Sequence, residues 1–432
     1  MSKDVVIREY GRLWHGEGGN LSKPAYDFLK NEVLRGAIGE NNILTIGSKN
    51  GKESLSVQNY VGVLSTPDGT VIEILPKHSR ENEDVAQSRR LLIKMLSAVY
   101  GLPWKQSTDA ALSTRSARLP DMLIQQFLKS VSKLVRTGLK SDYIRCKETS
   151  KYLRGRLNVS RQIRLPATKK TVFCIEYDKY SVDRPENRLI KRALSTILGW
   201  RLSPSNKRIA KELLLSFSDV ETSQDVLLDF KSWRSQRDMV HYGPVLPWLQ
   251  LILRELSPLT FSGNWNGVSM LFPMEQLFEL YVFRMLKRLT MPGFTTMSQA
   301  QSQYLATHLD KPMFQLRPDI LIRQGSQNTC VLDTKWKLLQ ESSNDTRSKY
   351  GLSQADFYQM FAYGHKYLSG RGKLILIYPR HADFHQSLPP FMLENELELW
   401  AVPYDLDTDE LIVPTSLDLP FLQHQIICTQ AA

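Results

Sequence analysis

Two aspartates and a lysine in the C-terminal third of the chain, Asp319, Asp333 and Lys335, are of the types that metal-assisted chemistry at phosphorus requires. Carboxylates are hard oxygen ligands for Mg²⁺, which needs only one or two of them when a substrate phosphate completes its coordination. A lysine beside the metal can orient a water, help to deprotonate it, or stabilise the charge that builds on phosphorus. We therefore predict Asp319 and Asp333 as Mg²⁺ ligands and Lys335 as the catalytic lysine.

A predicted β-hairpin, with strands over 316–323 and 329–337, positions these side chains. Side chains alternate along a strand, so Asp333, Lys335 and Lys337 are expected on one face. Lys337 is then a candidate contact to nucleic acid or to a partner. An ordinary hairpin with exposed charges is the alternative, because P-D and D-x-K pairs are common by chance.

A helix predicted over 271–289 precedes the hairpin and carries two glutamates, Glu275 and Glu279. Pro273 is expected in its first turn, where a missing N–H costs nothing. The glutamates are four residues apart and share a face, so one of them could contact the metal or its water, and Glu279 is the preferred candidate. A solvated glutamate pair is the alternative.

A second helix, predicted over 354–369, follows the hairpin. Asp356, Gln359 and Tyr363 fall at i, i+3 and i+7 and share one face. Gln359 and Tyr363 could order the catalytic lysine or contact DNA phosphate, and Tyr363 could equally belong to the core. Two buried-type strands come next, so the order helix, hairpin, helix, strand, strand predicts an α/β core around one site.

The composition is that of a soluble globular protein with a basic surface. The chain has 432 residues and a net charge of +12, which favours a polyanionic partner such as nucleic acid, although a solvated basic surface would carry the same charge. The four cysteines are far apart, which argues against a zinc ribbon or a redox pair. The sequence shows neither a signal core nor an apolar run approaching the ~20 residues of a membrane span, so we expect a cytoplasmic protein without membrane contact.

One glycine-rich stretch, GSKNGKES over 47–54, superficially resembles a phosphate-binding P-loop. It is one residue short between the glycines, Glu53 follows the lysine where Ser or Thr is required, and the stretch lies between predicted strands. We interpret it as a turn and expect that the chain does not itself hydrolyse nucleoside triphosphates.

The predicted architecture is mixed α/β (α+β overall) in three parts. Residues 1–105 form a β-rich domain, 106–265 a mostly helical middle region, and 266–432 the α/β domain with the candidate site.

The middle region contains the most basic part of the chain, the segment 141–170. Arg154 and Arg156 flank a glycine there, where the backbone can approach a partner closely and guanidinium groups can bind phosphate. They are candidate contacts to nucleic acid or to a protein partner, against the alternative of a solvated strand face.

At this point the chain resembles the McrC family, the nuclease subunits of McrBC-type modification-dependent restriction systems, and in its C-terminal part the PD-(D/E)XK nuclease superfamily. Any one matching motif is weak, but their order and spacing together are specific. The first ~40 residues and the tail after about residue 413 match nothing nameable. The matching motifs are Tyr60–Leu64, Ile72–Lys77, Leu153–Leu157, Tyr177–Asp183, Glu186–Lys191, Phe278–Glu279, Arg317–Asp319, Asp333–Lys335 and Gln359–Tyr363.

The resemblance implies a division of labour between two proteins. A separate AAA+ GTPase, McrB, would recognise modified double-stranded DNA. The N-terminal part of this chain would dock on the GTPase ring and stimulate GTP hydrolysis, and the PD-(D/E)XK domain would cut DNA with Mg²⁺. The basic segment could serve the GTPase interface or DNA, and the sequence does not separate these.

Two other functions stay open. The chain could be a non-catalytic DNA-binding activator of an AAA+ NTPase, but such a platform would not need two aspartates and a lysine together. It could also be a stand-alone repair nuclease, but a nuclease core needs only the last part of the chain.

Overall fold

The computed structural model describes residues 4–35, 43–49, 51–77, 84–104, 118–166, 168, 171–234, 237–255, 270–423 and 426–428. The chain forms two compact units. Unit 1 comprises Met1–Ala117, Leu259–Trp265 and Ser269–Ala432, and unit 2 comprises Arg118–Pro258 and Asn266–Val268. None of the helices in the described part is long and apolar enough to cross a bilayer.

Among its described residues, the N-terminal part of unit 1 contains two helices and the strands of two small sheets. Its elements are β1 (Asp4–Arg8), β2 (Arg12–Leu13), α1 (Lys23–Leu34), β3 (Leu44–Lys49), β4 (Lys52–Val57), β5 (Tyr60–Ser65), β6 (Val71–Leu75) and α2 (Val85–Tyr100). Strands β3 and β4 pair antiparallel across the stretch that resembles a P-loop, with Gly47 opposite Ser54, which confirms its interpretation as a turn. Helix α1 begins with Ser22 as its N-cap and packs Tyr26 and Leu29 into the core of these sheets.

Unit 2 is mostly helical in its described residues and also holds a three-stranded sheet in the order β7-β9-β8. Its elements are α3 (Leu119–Thr137), β7 (Asp142–Ser150), β8 (Arg156–Leu157), α4 (Val159–Ile163), β9 (Phe173–Ser181), α5 (Pro185–Leu198), α6 (Pro204–Leu215), α7 (Val226–Lys231) and α8 (Leu246–Gln250). A 3₁₀ helix over Arg237–Tyr242 and a π-helical turn over Leu251–Glu255 complete it. Helix α5 buries a stripe at helical spacing, including Leu189, Ala193 and Ile197, which is why it forms and packs.

The C-terminal part of unit 1 is built on an eight-stranded mixed sheet in the order β11-β14-β15-β16-β18-β19-β20, with β17 pairing β18. Its elements are β10 (Met270–Pro273), α9 (Met274–Leu289), β11 (Phe294–Ser298), β12 (Gln303–His308), β13 (Lys311–Leu316), β14 (Ile320–Gln324), β15 (Gln327–Thr334), α10 (Gln354–Tyr367), β16 (Gly372–Pro379), β17 (Phe391–Met392), β18 (Leu397–Asp405), β19 (Glu410–Pro414) and β20 (Ile426–Cys428). Strands β15, β16 and β18 are parallel neighbours, and α10 connects β15 to β16. The mixed α/β prediction is confirmed.

The helix predicted over 271–289 is shorter than expected. Residues Met270–Pro273 form β10, which pairs antiparallel with β5, and Pro273 is the N-cap of α9 rather than a residue of its first turn. The residue before a proline is biased towards extended backbone, and β5 supplies hydrogen-bond partners for an extended segment, so strand pairing prevails over helical periodicity here.

The same pairing explains why the predicted ranges 1–105 and 266–432 both fall in unit 1. The strands approach closely at Gly62, where a Cβ would overlap the carbonyl oxygen of Met270 and φ is +127°. The predicted boundaries at 105/106 and 265/266 lie outside the described residues.

Candidate active site

The β14–β15 hairpin holds the two predicted aspartates at one end of the sheet. Ile320 pairs with Leu332, so Asp319, just before β14, lies beside the end of β15 that carries Asp333. Thr334 donates to Asp319 Oδ2 from its backbone N and from its hydroxyl, each at 2.7 Å. These two bonds fix the orientation of the Asp319 carboxylate.

The hairpin differs from the predicted one at both ends. The predicted strand 316–323 is interrupted, because residues up to Leu316 belong to β13 in a separate two-stranded sheet. Strand β15 ends at Thr334, so Lys335 and Lys337 lie beyond it, and the alternation expected for one strand face does not apply to them. The Lys335 N–H makes one last bond, to Ile377 O, before the chain turns and Lys337 N donates to Lys335 O.

Lys335 is held by three groups around its ammonium. Its Nζ lies 2.7 Å from Asp333 Oδ2 and 3.7 Å from Asp356 Oδ1, and it donates to Gln359 Oε1 at 3.2 Å. Burial opposes the charge, but the surrounding carboxylates outweigh it and raise the pKa of Lys335. The site therefore keeps a lysine cation next to a buried carboxylate.

Three carboxyl groups around this point are poorly compensated. Burial, followed by the charge of Asp319, raises the pKa of Asp333 and raises that of Glu279 to about 7. Burial also raises the pKa of Asp319, against the two bonds from Thr334. Burial is the largest cause for all three groups, so their charged forms lack the stabilisation that water or a cation would give.

The donor chemistry fits a hard divalent cation. Asp333 is 1% exposed, and its Oδ1 is buried without a hydrogen-bond partner among the described residues. Such an oxygen needs a partner, and Mg²⁺ accepts one or two carboxylates when substrate oxygens and water supply the rest. Within the described ranges no three His, Cys, Asp or Glu side chains form a group that could hold a metal by themselves, so Asp319, Asp333 and Glu279 are not a closed set of ligands.

Helix α10 supports the lysine through a chain of hydrogen bonds. Gln359 Nε2 donates to the Tyr363 hydroxyl at 2.8 Å, and that hydroxyl donates to Arg317 O at 2.9 Å. The amide oxygen of Gln359 is thereby directed at Lys335. Tyr363 is buried, so it occupies the core position that the sequence left open and is not available as a DNA contact.

Helix α9 carries Glu279, whose Oε1 accepts a hydrogen bond from Gln299 Nε2 at 2.9 Å. Burial is the main cause of the raised pKa of Glu279, and the charge of Asp319 is the second. Glu275 lies one turn earlier on α9 and lines a cleft next to Lys335, which is described below.

A cleft of about 710 Å³ opens beside Lys335, and Lys337 lines it as well. Its other lining residues include three from the N-terminal part of unit 1, which the sequence did not associate with the site: Glu9, Tyr10 and Lys77. The cleft gives an extended substrate access to the lysine.

Glu9 is the most unexpected of these residues. It is 2% exposed, and its Oε2 accepts from Trp336 Nε1 at 2.8 Å, across 327 positions of sequence. Trp336 also packs on Phe278, with ring centroids 5.2 Å apart. Glu9 thus anchors the residue between Lys335 and Lys337, and no signal in the sequence pointed to it.

The predicted basic contacts lie in unit 2. Arg154 and Arg156 are exposed at the β7-β9-β8 sheet, and the Arg154 guanidinium stacks 4.4 Å from the centroid of the Tyr177 ring. Neither arginine has an acidic partner among the described residues, whereas Arg145 and Lys147 pair with Asp178 and Glu176 of β9. Three residues of the predicted segment 141–170, at 167, 169 and 170, lie outside the described residues.

Comparisons with known proteins show which proteins the chain is similar to. A family model described as "McrBC 5-methylcytosine restriction system component" matches residues 55–379. A search of curated proteins found no match. Among solved structures, a half-complex from a tetradecameric assembly of Thermococcus gammatolerans McrB AAA+ hexamers with bound McrC is similar, with a TM-score of 0.64 and 20% identity over 93% of this chain and 94% of that one. A second structure, of the McrBC complex of the same organism, matches with a TM-score of 0.49 and 21% identity, over 66% of this chain and 87% of that one.

Proposed function

The chain belongs to the family of McrBC 5-methylcytosine restriction system components, and we propose that it is the subunit that cuts DNA in such a system. The observation that carries the proposal is the meeting of Asp319, Asp333 and Lys335 at one end of the sheet, with the lysine held between a buried carboxylate and Gln359. Two carboxylates and an ordered lysine suit hydrolysis of a phosphodiester bond.

Asp319 and Asp333 would hold Mg²⁺, and Glu279 would contact it or an attached water from α9. When bound, the ion would polarise the scissile phosphate and favour ionisation of the attacking water. The unpartnered Oδ1 of Asp333 is the donor that most clearly requires a ligand. Thr334 keeps Asp319 oriented, so the carboxylate is already in position before substrate arrives.

Lys335 supplies the remaining chemistry. The neighbouring carboxylates raise its pKa and so favour the ammonium form, which would orient the attacking water or stabilise charge on the phosphorus-centred transition state. Gln359 limits the positions that the ammonium can adopt, and pre-organised donors of this kind are more effective than mobile ones.

We further propose that the partner is a McrB-like AAA+ GTPase and that the substrate is double-stranded DNA carrying a modified base. The similar solved assembly contains McrB AAA+ hexamers with bound McrC, and the P-loop-like stretch of this chain contributes to the antiparallel strands β3 and β4. Arg154 and Arg156 are exposed and have no acidic partner among the described residues, and they are the candidate contacts to that partner or to DNA.

The test is cleavage of plasmid DNA, modified or unmodified, with and without the GTPase partner and GTP. Lys335→Ala is expected to reduce cleavage at least about a hundredfold, since it removes a directed electrostatic contact to the transition state. Lys366→Ala, which removes an exposed lysine of α10, is the matched control and should cut like the wild type. Wild-type rates from a folded Lys335→Ala variant would refute the assignment.

A further inference from the structure

The hairpin formed by β12 and β13 stands apart from the main sheet as a separate two-stranded sheet. Four of its apolar side chains are exposed: Leu305, Leu309, Met313 and Phe314. Leu309, at 81% exposure, is the most exposed of the large apolar residues in the described part of the chain, and Phe314 is 72% exposed. A two-stranded hairpin is marginal by itself, so its apolar side chains call for a partner.

The backbone of this hairpin is strained at the same residues. His308 pairs with Lys311 across a two-residue turn, and the central residues, Leu309 and Asp310, have φ of 47° and 60°. Turns of this type normally use Asn-Gly, because a β-carbon disfavours positive φ. Phe314 has φ of 58° within β13. Large side chains kept in left-handed backbone are a mark of functional segments.

Helix α10, which also orders Lys335, holds the two ends of the hairpin in place. The Tyr367 hydroxyl of α10 lies 2.8 Å from Ala300 O and 2.9 Å from Leu316 O, one on each side of the hairpin. One turn earlier on the same helix, the Tyr363 hydroxyl donates to Arg317 O. Arg317 is two residues before Asp319 in the chain. The hairpin is therefore continuous with the candidate active site.

The charges along the hairpin suit a polyanion. Lys311 and Arg317 are exposed and have no acidic partner among the described residues, and Asp310 is the only acidic residue within 303–317. Apolar tips flanked by cations are typical of elements that press leucine or phenylalanine against DNA base steps while lysine or arginine contacts phosphate.

We propose that the β12–β13 hairpin is a DNA-contacting wedge, which packs Leu309 and Phe314 against the sugars and base steps of the duplex next to the phosphate to be cut. Lys311 and Arg317 contact the flanking phosphates. The inference rests on the proposed nuclease function, because the continuity with Asp319 identifies DNA as the occupant.

The test replaces both strained residues by glycine. In the full chain carrying Asp333→Asn to prevent cutting, Leu309→Gly with Phe314→Gly removes both apolar side chains and relieves both left-handed positions. Binding to a labelled duplex should weaken by at least about tenfold, since one lost base-stacking contact already has about that effect, while the melting temperature stays the same or rises. If Leu309 and Phe314 were only structural, their loss would lower DNA affinity and melting temperature together. Weaker binding without a lower melting temperature therefore indicates a binding role.

Two controls isolate the cause. Ser369→Gly relieves a left-handed residue, at φ of 56°, elsewhere in unit 1 and should leave DNA affinity unchanged. Leu227→Ser with Leu228→Ser removes two exposed leucines of α7, 63% and 59% exposed, and should also bind DNA like the parent. Should the double glycine variant not fold, Leu309→Asn serves instead, because asparagine tolerates positive φ and lacks the apolar side chain.

Unchanged DNA affinity in the double glycine variant would overturn the proposal. If the wild type sedimented as an oligomer and that variant as a monomer, the surface would belong to a second copy of the chain instead. A wild type that binds no duplex overturns it as well. Failure of the nuclease proposal appears separately, as a wild type that binds DNA through the hairpin but does not cut.

Discussion

Replacing Glu9 by glutamine should change how stability depends on pH. Burial raises the pKa of Glu9 from 4.5 to about 8, despite the bond from Trp336. Between these two pH values the folded state retains a proton that the unfolded state releases. The contribution of Glu9 to the free energy of unfolding is therefore full below about pH 4.5 and is lost as the pH rises to about 8. At about 1.4 kcal/mol per pKa unit, the loss is at most about 5 kcal/mol.

Glutamine resembles the protonated acid and can still accept from Trp336 Nε1, so Glu9→Gln should match the wild type near pH 5 and be more stable near pH 9. Denaturant unfolding of both proteins across this pH range gives the difference between their free energies of unfolding. Other titrating groups contribute equally to both proteins and cancel in that difference. Glu17→Gln, at an exposed site, is the control and should follow the wild type at every pH. Parallel pH curves for Glu9→Gln and the wild type would show that Glu9 is ionised in the fold and refute the reasoning.

Two further predictions concern the site and the strand that supports it. Thr334→Val removes the hydroxyl bond to Asp319 and should raise the Mg²⁺ concentration for half-maximal cleavage by about tenfold, with Thr334→Ser restoring it; an unchanged Mg²⁺ titration would contradict this. Gly62→Ala should destabilise the protein by at least about 2 kcal/mol in denaturant unfolding, because a Cβ there overlaps Met270 O, whereas Gly47→Ala, which meets open space, should cost far less.

The residues of the candidate site were predictable because their signals are local. Asp333 and Lys335 stand two apart at the end of an apolar strand, and Gln359 lies on a helix whose period is clear. The resemblance to a family could also be predicted, because the motifs of that family occur along this chain in the same order. The family match confirms it.

Other features depend on contacts that no local pattern encodes. Glu9 reaches Trp336 across 327 positions, and a lone glutamate in the turn after β1 gives no indication of that. The apolar residues of β10 continue the helical periodicity of α9, so the sequence predicts helix there, and pairing with β5 overrides that pattern. The sequence does not predict the hairpin β12–β13, because its turn uses Leu309 and Asp310 in place of Asn-Gly.

Helix α1 is a different case, since a local signal was present and was overlooked. Ser22 followed by a proline in the first turn is a regular helix start, and Ser22 does cap the helix by accepting from Ala25 N.

The measurement that bears most directly on the central claim uses Asp333→Asn with the AAA+ partner, GTP, Mg²⁺ and modified plasmid DNA. The substitution keeps the size of a side chain that is 1% exposed but removes the charge that would hold the metal. Plasmid cleavage should be lost, while the variant still stimulates GTP hydrolysis by the partner to within about twofold of the wild type. Cleavage by the folded variant at the wild-type rate would show that the buried aspartate pair is not the cutting site.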